Sequence, residues 1–234
     1  MSSPFCAFYS MRHTALYLII AVFALPLAGV AAAPAAATDA AAMARVQRYL
    51  DSVNTLKAAF RQQLLDETGA VLEESGGTVY VQKPGRFRWD YLTPYEQVII
   101  ANGSRLWFYD KDLEQVTVSD FDPAAATTPA ALLGGSADVA EQFSVVPAPA
   151  AAKLLPGLDW ITVAPRAQDS QYQAISLGFA GERLAAMRLA DNFGQTTLIS
   201  FSDEVSGVAL DPALFEFTAP PGVDVIEAVA VGGP

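Results

Sequence analysis

The stretch from Lys83 to Asp110 reads KPGRFRWDYLTPYEQVIIANGSRLWFYD, and its pattern recurs along the chain. Turn-forming pairs divide it at Pro84-Gly85, Thr93-Pro94 and Asn102-Gly103. Between the first two turns, aromatic residues at every second position alternate with charged ones, which is typical of a strand. Asn-Gly between two short apolar runs is a strong signal for a β-hairpin. The stretch therefore predicts three consecutive strands.

The same rhythm continues on both sides of this stretch. Upstream, residues 56–64 and 71–83 alternate as strands, and a Gly76-Gly77 pair inside the second predicts a bulge or a strong bend. In the first of these strands, Leu64 is expected to share a face with Phe60. Four further strands are predicted downstream, at residues 160–163, 172–179, 184–189 and 195–201. About ten short strands at regular spacing indicate a barrel or a highly curved antiparallel sheet.

A few helices remain to cover this sheet. Residues 40–53 form an amphipathic helix by pattern, because its apolar residues recur at spacings of three and four. These residues are Met43, Val46, Leu50 and Val53. Thr38 or Asp39 is expected to cap its start. Shorter helical segments are predicted at residues 128–133, 138–143 and 212–215.

The first 37 residues resemble a secretory signal peptide rather than part of a fold. Arg12 and His13 precede an apolar run, Leu16–Val30, which is too short for a comfortable membrane span. Ala35–Ala37 supplies small residues for cleavage, and Val30 stands where a lipidated bacterial protein requires Cys. We therefore expect a leader over residues 1–37 and one soluble, secreted domain over residues 38–234. An uncleaved N-terminal anchor is the alternative.

The composition excludes several classes of activity. The chain has 234 residues and a net charge of −11, and its one Cys and one His lie in the leader. Without these residue types the domain has no Ser-His-Asp triad, no thiolate nucleophile and no His or Cys metal site. The acidic balance argues against nucleic-acid binding. We expect no enzyme, no metal and no cofactor; a carboxylate-dependent hydrolase remains open as an alternative.

Two neighbouring strands carry more apolar residues than one buried face requires. Val98-Ile99-Ile100 and Leu106–Tyr109 are apolar in both strand phases, which indicates that both faces of these strands are covered. The interior of the curved sheet is then either a filled core or an apolar cavity. Arg86 and Arg88, which lie between the aromatics of the next strand, either latch a helical lid or form surface ion pairs.

An ordered set of motifs covers nearly all of the domain. The set is Phe60-x-Gln62, the turn ending at Gly69, Gly77–Val81, Lys83-Pro84-Gly85-Arg86-Phe87-Arg88-Trp89, Pro94, Asn102-Gly103, Leu106-Trp107-Phe108-Tyr109-Asp110, Asp112-Leu113-Glu114-Gln115-Val116, Thr128-Pro129 before Leu132-Leu133, and Asp191-x-x-Gly194-Gln195-Thr196. In this order, behind a leader, these motifs resemble the LolA family of periplasmic outer-membrane lipoprotein carriers. The resemblance implies a mainly β fold: an unclosed antiparallel β-barrel with a lid of short α-helices over an apolar cavity.

The resemblance also implies a function. A carrier of this family takes acylated lipoproteins from an inner-membrane ABC-type release complex and delivers them to an outer-membrane lipoprotein receptor. A carrier with a single mouth can work as a monomer, and we expect a monomer here. Because each methylene costs about 0.8 kcal/mol to expose to water, acyl chains need shielding on that path. A periplasmic carrier or sensor of another lipid or glycolipid, and a structural β-domain with a filled core, are the alternatives.

The family pattern assigns site residues by position. Its lid-latch arginine stands immediately before the proline of the Lys83-Pro84 motif, so Lys83 takes that place here. Lysine lacks the planar fork of arginine, so the latch is weaker or Arg86 replaces it. The residues predicted to line the acyl-chain cavity or its lid are Met43, Leu50, Phe60, Tyr80, Phe87, Trp89, Val98, Ile100, Trp107 and Leu132.

Overall fold

A curved, unclosed sheet of twelve strands runs through the part of the chain that the computed structural model describes, residues 35–122, 129–134, 139–146, 154–167 and 170–228. The strands are β1 Thr55–Leu65, β2 Val71–Gln82, β3 Arg86–Thr93, β4 Gln97–Asn102, β5 Arg105–Asp110, β6 Gln115–Asp120, β7 Phe143–Val145, β8 Asp159–Pro165, β9 Tyr172–Ala180, β10 Arg183–Asp191, β11 Thr196–Ser206 and β12 Asp224–Glu227. The mainly β prediction is confirmed. The predicted leader, residues 1–37, falls almost wholly outside the described residues, so it stays a prediction.

Two meanders make up this sheet. Its spatial order is β12-β6-β5-β4-β3-β2-β1-β11-β10-β9-β8-β7. Strands β1 and β11 join the two halves with antiparallel pairing, whereas β12 pairs parallel with β6. Strands β7 and β12 form the two edges of the sheet, and neither was predicted from the sequence at residues 143–145 and 224–227. Strands this short carry too few residues for a period to show.

Helix α1, Ala35–Ser52, packs against one face of the sheet. It begins before Thr38 and Asp39, so the prediction that one of them caps its start was wrong. Alanine has the highest helix propensity, and the preceding alanines extend the helix past these two residues. Two short helices, α2 Pro129–Gly134 and α3 Val139–Gln142, follow β6. A 3-10 helix spans Pro212–Phe215, where the Asp211 carboxylate accepts a hydrogen bond from the Ala213 N–H at 2.9 Å.

Cross-strand pairs define which residues share a face. Phe87 lies opposite Ala101 and Trp89 lies opposite Ile99, and all four belong to, or pack on, the apolar cluster beneath α1. We call this side the inner face. Both halves of the sheet contribute to it, because Phe179 of β9 belongs to the same cluster. The sheet therefore curls around this cluster.

The opposite side, the outer face, is covered on β3 to β5 by the chain that follows β11. Phe215 of the 3-10 helix is fully buried, and the ring of Phe217 lies 5.4 Å from that of Tyr109. Ile100 is therefore buried on the outer face while its neighbour Ala101 is buried on the inner face, as predicted for strands covered on both sides. That prediction was wrong for Phe108, which is 39% exposed.

Two irregularities alter the alternation of β1 and β2. The predicted bend at Gly76-Gly77 is confirmed as a register shift against β3. A Cβ atom on Gly77 would lie 1.8 Å from the carbonyl oxygen of Asp90, so only glycine fits there. A second shift in the β1–β2 pairing falls between Leu64 and Leu65. The pairing is regular from Phe60 to Leu64, so Leu64 shares a face with Phe60 as predicted, and it is half-buried there.

Candidate functional site

Helix α1 covers the apolar cluster of the inner face. Val46, Leu50 and Val53 are buried against it, as their spacing requires of one helix face. The Tyr49 ring, from the same face, meets the Phe179 ring edge-on at 5.5 Å. Tyr49 was absent from the predicted set, although its position three residues after Val46 places it on the apolar stripe.

Polar contacts hold α1 on its two sides. On one side, the Lys83 ammonium donates a hydrogen bond to the carbonyl oxygen of Leu50. On the other, the Arg45 guanidinium donates to the carbonyl oxygen of Gly181 at 2.6 Å and lies 3.3 Å from the Asp159 carboxylate. Arg45 also lies over the Phe179 ring, 4.8 Å from its centroid. These few contacts join α1 to the turn after β2 and to the turn after β9.

The Lys83 contact suits the end of a helix. The last carbonyl groups of a helix lack intrahelical donors and carry partial negative charge, so a cation is favourable there. Burial lowers the pKa of Lys83, and the Asp51 carboxylate opposes that shift. The backbone N–H of Lys83 also donates to the Asn54 carbonyl at 2.8 Å. Lys83 thus contacts α1 through its side chain and the segment just after α1 through its backbone.

Arg86, the other predicted latch residue, is placed elsewhere. It lies opposite Gln82 and Asn102 in the sheet, on the outer face and away from α1. Arg88 shares that face, where its guanidinium pairs with the Asp90 carboxylate at 2.8 Å and donates to the Leu214 carbonyl at 3.2 Å. Of the two predicted latch residues, Lys83 is therefore the one that reaches α1.

The structure brings six of the ten predicted cavity or lid residues together on the inner face. They are Met43, Leu50, Phe60, Phe87, Trp89 and Leu132. Aromatic rings pack together at the centre of this cluster. The ring centroid of Trp89 lies 4.8 Å from that of Phe60 and 6.3 Å from that of Phe201. Beneath α1, buried apolar side chains from both halves of the sheet form one cluster. A chain bound among them displaces side chains, α1, or both.

The other four predicted residues lie on the outer face, which corrects their expected position. They are Tyr80, Val98, Ile100 and Trp107. Lys57 lies over the Tyr80 ring at 5.7 Å, and the Trp107 ring lies 6.4 Å from that of Phe217. Alternation in the sequence assigns the residues of a strand to two faces, but it does not identify which face points to the interior. We leave these four residues out of the candidate site.

The second half of the sheet supplies site residues that the sequence reasoning missed. Phe179, Met187, Leu189, Ile199 and Phe201 are all buried in the inner cluster. Their alternation predicts strands, but nothing local in the sequence says that β11 pairs with β1, about 140 residues away. That pairing is what brings Phe201 onto Trp89.

Buried polar atoms without a partner accompany this apolar site. In the described part of the chain they include Tyr49 Oη, Trp89 Nε1 and Glu204 Oε2. Glu204 lies in an irregularity of β11, next to Asp203 with φ 51°, where the pairing with β1 shifts register. Burial raises the pKa of Glu204, and the Arg183 guanidinium opposes that shift. Burial, and to a lesser extent the Glu204 carboxylate, raises the pKa of Tyr49.

Two further depressions lie at the margins of the inner cluster. A groove of about 540 Å³ runs between α1, α3 and β7, with Met43, Phe143 and Arg166 among its lining residues. A smaller, polar pocket of about 130 Å³ lies between β1 and β4, where the Tyr91 hydroxyl and Gln62 Oε1 are 3.2 Å apart in a hydrogen bond. Both depressions border the cluster without entering its centre.

The described residues lack two kinds of feature, a membrane-spanning helix and a metal-binding cluster. None of the helices there has the length and hydrophobicity that a membrane span needs. Nor does that part of the chain gather three or more His, Cys, Asp or Glu side chains in a group suited to a metal ion.

Comparison with known proteins identifies relatives over most of the chain. The family model for the outer membrane lipoprotein carrier protein LolA matches residues 51–218. An outer-membrane lipoprotein carrier protein of Methylococcus capsulatus is 44% identical over 183 residues, which cover 78% of this chain and 86% of the relative. Another, from Nitrosospira multiformis, is 38% identical over 81% of this chain and 90% of the relative.

A solved structure is also similar to this chain at low identity. The crystal structure of a LolA superfamily protein from Nitrosomonas europaea is 11% identical, covers 75% of this chain and 97% of its own, and has a TM-score of 0.46. A score at that level adds nothing to the assignment, which rests on the sequence matches. From the family model and these relatives, the chain belongs to the LolA family of outer-membrane lipoprotein carrier proteins.

Proposed function

We propose that this chain is a non-enzymatic periplasmic carrier that shields the acyl chains of lipoproteins on the inner face of its sheet, beneath α1. The main support for the proposal is structural: α1 covers a continuous apolar cluster, and few polar contacts hold it there. Membership of the family agrees with it, since the relatives are named as lipoprotein carriers.

The energetics favour reversible uptake. Each acyl methylene moved out of water contributes about 0.8 kcal/mol, so a chain of about 15 methylenes gains on the order of 10 kcal/mol on entry. Lifting α1 exposes Val46, Leu50 and Val53 and breaks the contacts of Lys83 and Arg45. Each such hydrogen bond contributes about 1 kcal/mol net. The free energy gained by burying an acyl chain and the free energy lost by lifting α1 are of comparable size. Bound lipid therefore shifts the population between closed and open states rather than trapping one of them.

We further propose that the carrier exchanges its cargo with two membrane-bound partners. An inner-membrane ABC-type release complex would load it, and an outer-membrane lipoprotein receptor would unload it. Apolar contact has no directional bonds, so a partner that offers a better-covered apolar surface can draw the hydrocarbon of the acyl chains away. The exported location follows from the predicted leader over residues 1–37.

A release assay tests this function. Cells stripped of their outer membrane produce labelled lipoprotein, and the purified domain, residues 38–234, is added outside. We expect labelled lipoprotein in the soluble fraction as a one-to-one complex with the carrier. Release of nothing, while the folded protein still binds an apolar dye, would point to another lipid or glycolipid as cargo. If the protein neither releases lipoprotein nor binds the dye, the inner cluster is an ordinary hydrophobic core and not a lipid-binding site.

A further inference from the structure

Trp89 has a fixed position at the centre of the inner cluster. Its side chain is 4% exposed. The rings of Phe60, Phe201 and Tyr91 surround it at centroid distances of 4.8, 6.3 and 6.5 Å. Contacts on several sides hold the indole in one orientation, so its N–H group points in a defined direction.

The indole N–H is a buried donor without an acceptor. No hydrogen-bond partner lies within reach of Trp89 Nε1 in the described structure. Most buried polar groups do have a partner, and an indole nitrogen can only donate. A site built to hold hydrocarbon alone would gain nothing from this group, because a methylene chain offers no acceptor.

Tyr49, the other unpartnered group of the cluster, differs in its surroundings. Burial raises the pKa of its hydroxyl, and the Glu204 carboxylate, itself unpartnered at Oε2, adds to that shift. Trp89 is flanked by rings, and Val79 and Ile99 lie opposite it on the neighbouring strands. Among the described residues, the protein therefore offers Trp89 no acceptor, and a ligand can supply one.

We propose that Trp89 Nε1 donates a hydrogen bond to the carbonyl oxygen of an ester or amide that links an acyl chain to its cargo. This rests on the proposed carrier function and names the part of the lipid that is recognised. A carbonyl oxygen accepts but does not donate, so it satisfies the indole without bringing a second unmatched donor into the cluster. A carboxylate would fit poorly because burying its charge is costly. The contact fixes how deep the linkage lies beneath α1.

Two lipids that differ only in the linkage test this inference. A diacylglycerol offers ester carbonyls, and a dialkylglycerol of the same chain length has ether oxygens in their place. Their affinities are measured by displacement of an apolar dye from the wild type, Trp89→Phe and Trp107→Phe. Trp107 is the matched control, since the same substitution there alters the outer face.

The ratio of the two affinities is the readout. We expect the wild type and Trp107→Phe to prefer the ester about three- to tenfold, the size of one hydrogen bond, and Trp89→Phe to bind both lipids equally. Because each ratio compares two lipids on one protein, a general weakening of the site cancels. If the wild type binds the ester and ether lipids with equal affinity, the inference is overturned, even if Trp89→Phe fails to fold. It is also overturned if Trp89→Phe still prefers the ester lipid. If the wild type binds neither lipid, the proposed function falls as well.

Discussion

The ammonium group of Lys83, at the turn between β2 and β3, donates a hydrogen bond to the carbonyl oxygen of Leu50 in the last turn of α1. This contact ties the covering helix to the edge of the apolar site. Lysine makes this hydrogen bond with a single ammonium group at the end of a flexible side chain, whereas an arginine would offer several N–H donors in a fixed plane. The bond can therefore break without the concerted loss of several others.

We expect Lys83→Met to loosen α1 while the fold persists. The substitution removes about 1 kcal/mol of hydrogen bonding, which lowers Tm by roughly 2–4 °C in a domain of this size, and it should raise binding of an apolar dye. Thermal unfolding and dye fluorescence measure the two effects. Lys57→Met is the control, since Lys57 lies over Tyr80 on the outer face. Unchanged dye binding in Lys83→Met would show that this bond does not govern access.

The buried carboxyl of Glu204 should make stability fall as pH rises. Burial raises its pKa in the folded state, so the folded protein holds this proton more tightly than the unfolded chain does. Stability is then greatest below the unfolded pKa and declines as pH rises from there through the folded value. We expect Glu204→Gln to have a higher Tm than the wild type at neutral pH and an equal one near pH 4.

Unfolding curves across this pH range measure the effect. The neighbouring Asp203→Asn variant is the matched control, because it also removes one acid from the same irregularity. If Asp203→Asn reproduced the pH dependence of Glu204→Gln, net charge rather than the buried carboxyl would be the cause.

Gly77 should tolerate no side chain. In Gly77→Ala the new methyl group would meet the Asp90 backbone, which can yield only if β2 and β3 separate locally. We expect a loss of about 3 kcal/mol or more in the free energy of unfolding, measured in urea. Gly134→Ala serves as a comparison, because a Cβ there meets its nearest atoms at ordinary contact distances, 3.6 Å and beyond. Similar stabilities of the two variants would contradict the close packing of β2 on β3.

The outer face should contribute stability without taking part in lipid binding. Phe215 is fully buried there, so Phe215→Ala should cost about 3–5 kcal/mol in the free energy of unfolding. Phe193→Ala, at a residue that is 90% exposed, should change it by less than about 0.5 kcal/mol. Below its Tm, Phe215→Ala should bind lipid with wild-type affinity, measured by dye displacement. A large loss of affinity in the folded variant would show that the two faces are coupled.

Much of the fold could be read from local sequence. Asn102-Gly103 predicts its hairpin because the turn needs a residue with positive φ, and Gly103 has φ 100°. The alternation around Trp89 predicts β3 because side chains point to opposite faces with a period of two. The spacing of Val46, Leu50 and Val53 predicts the buried face of α1. The absence of His and Cys after residue 13 excludes a Ser-His-Asp triad, a thiolate nucleophile and a His or Cys metal site.

Only the tertiary structure decided which of two similar tryptophans belongs to the site. Trp89 and Trp107 both lie in alternating strands rich in aromatics, yet Trp89 packs beneath α1 and Trp107 beneath Phe217. A period of two sorts residues into two faces, and the face that becomes the interior depends on what covers each one. Those covers, α1 and the segment after β11, come from opposite ends of the domain. Their placement depends on the distant pairing of β1 with β11, which local pattern does not encode.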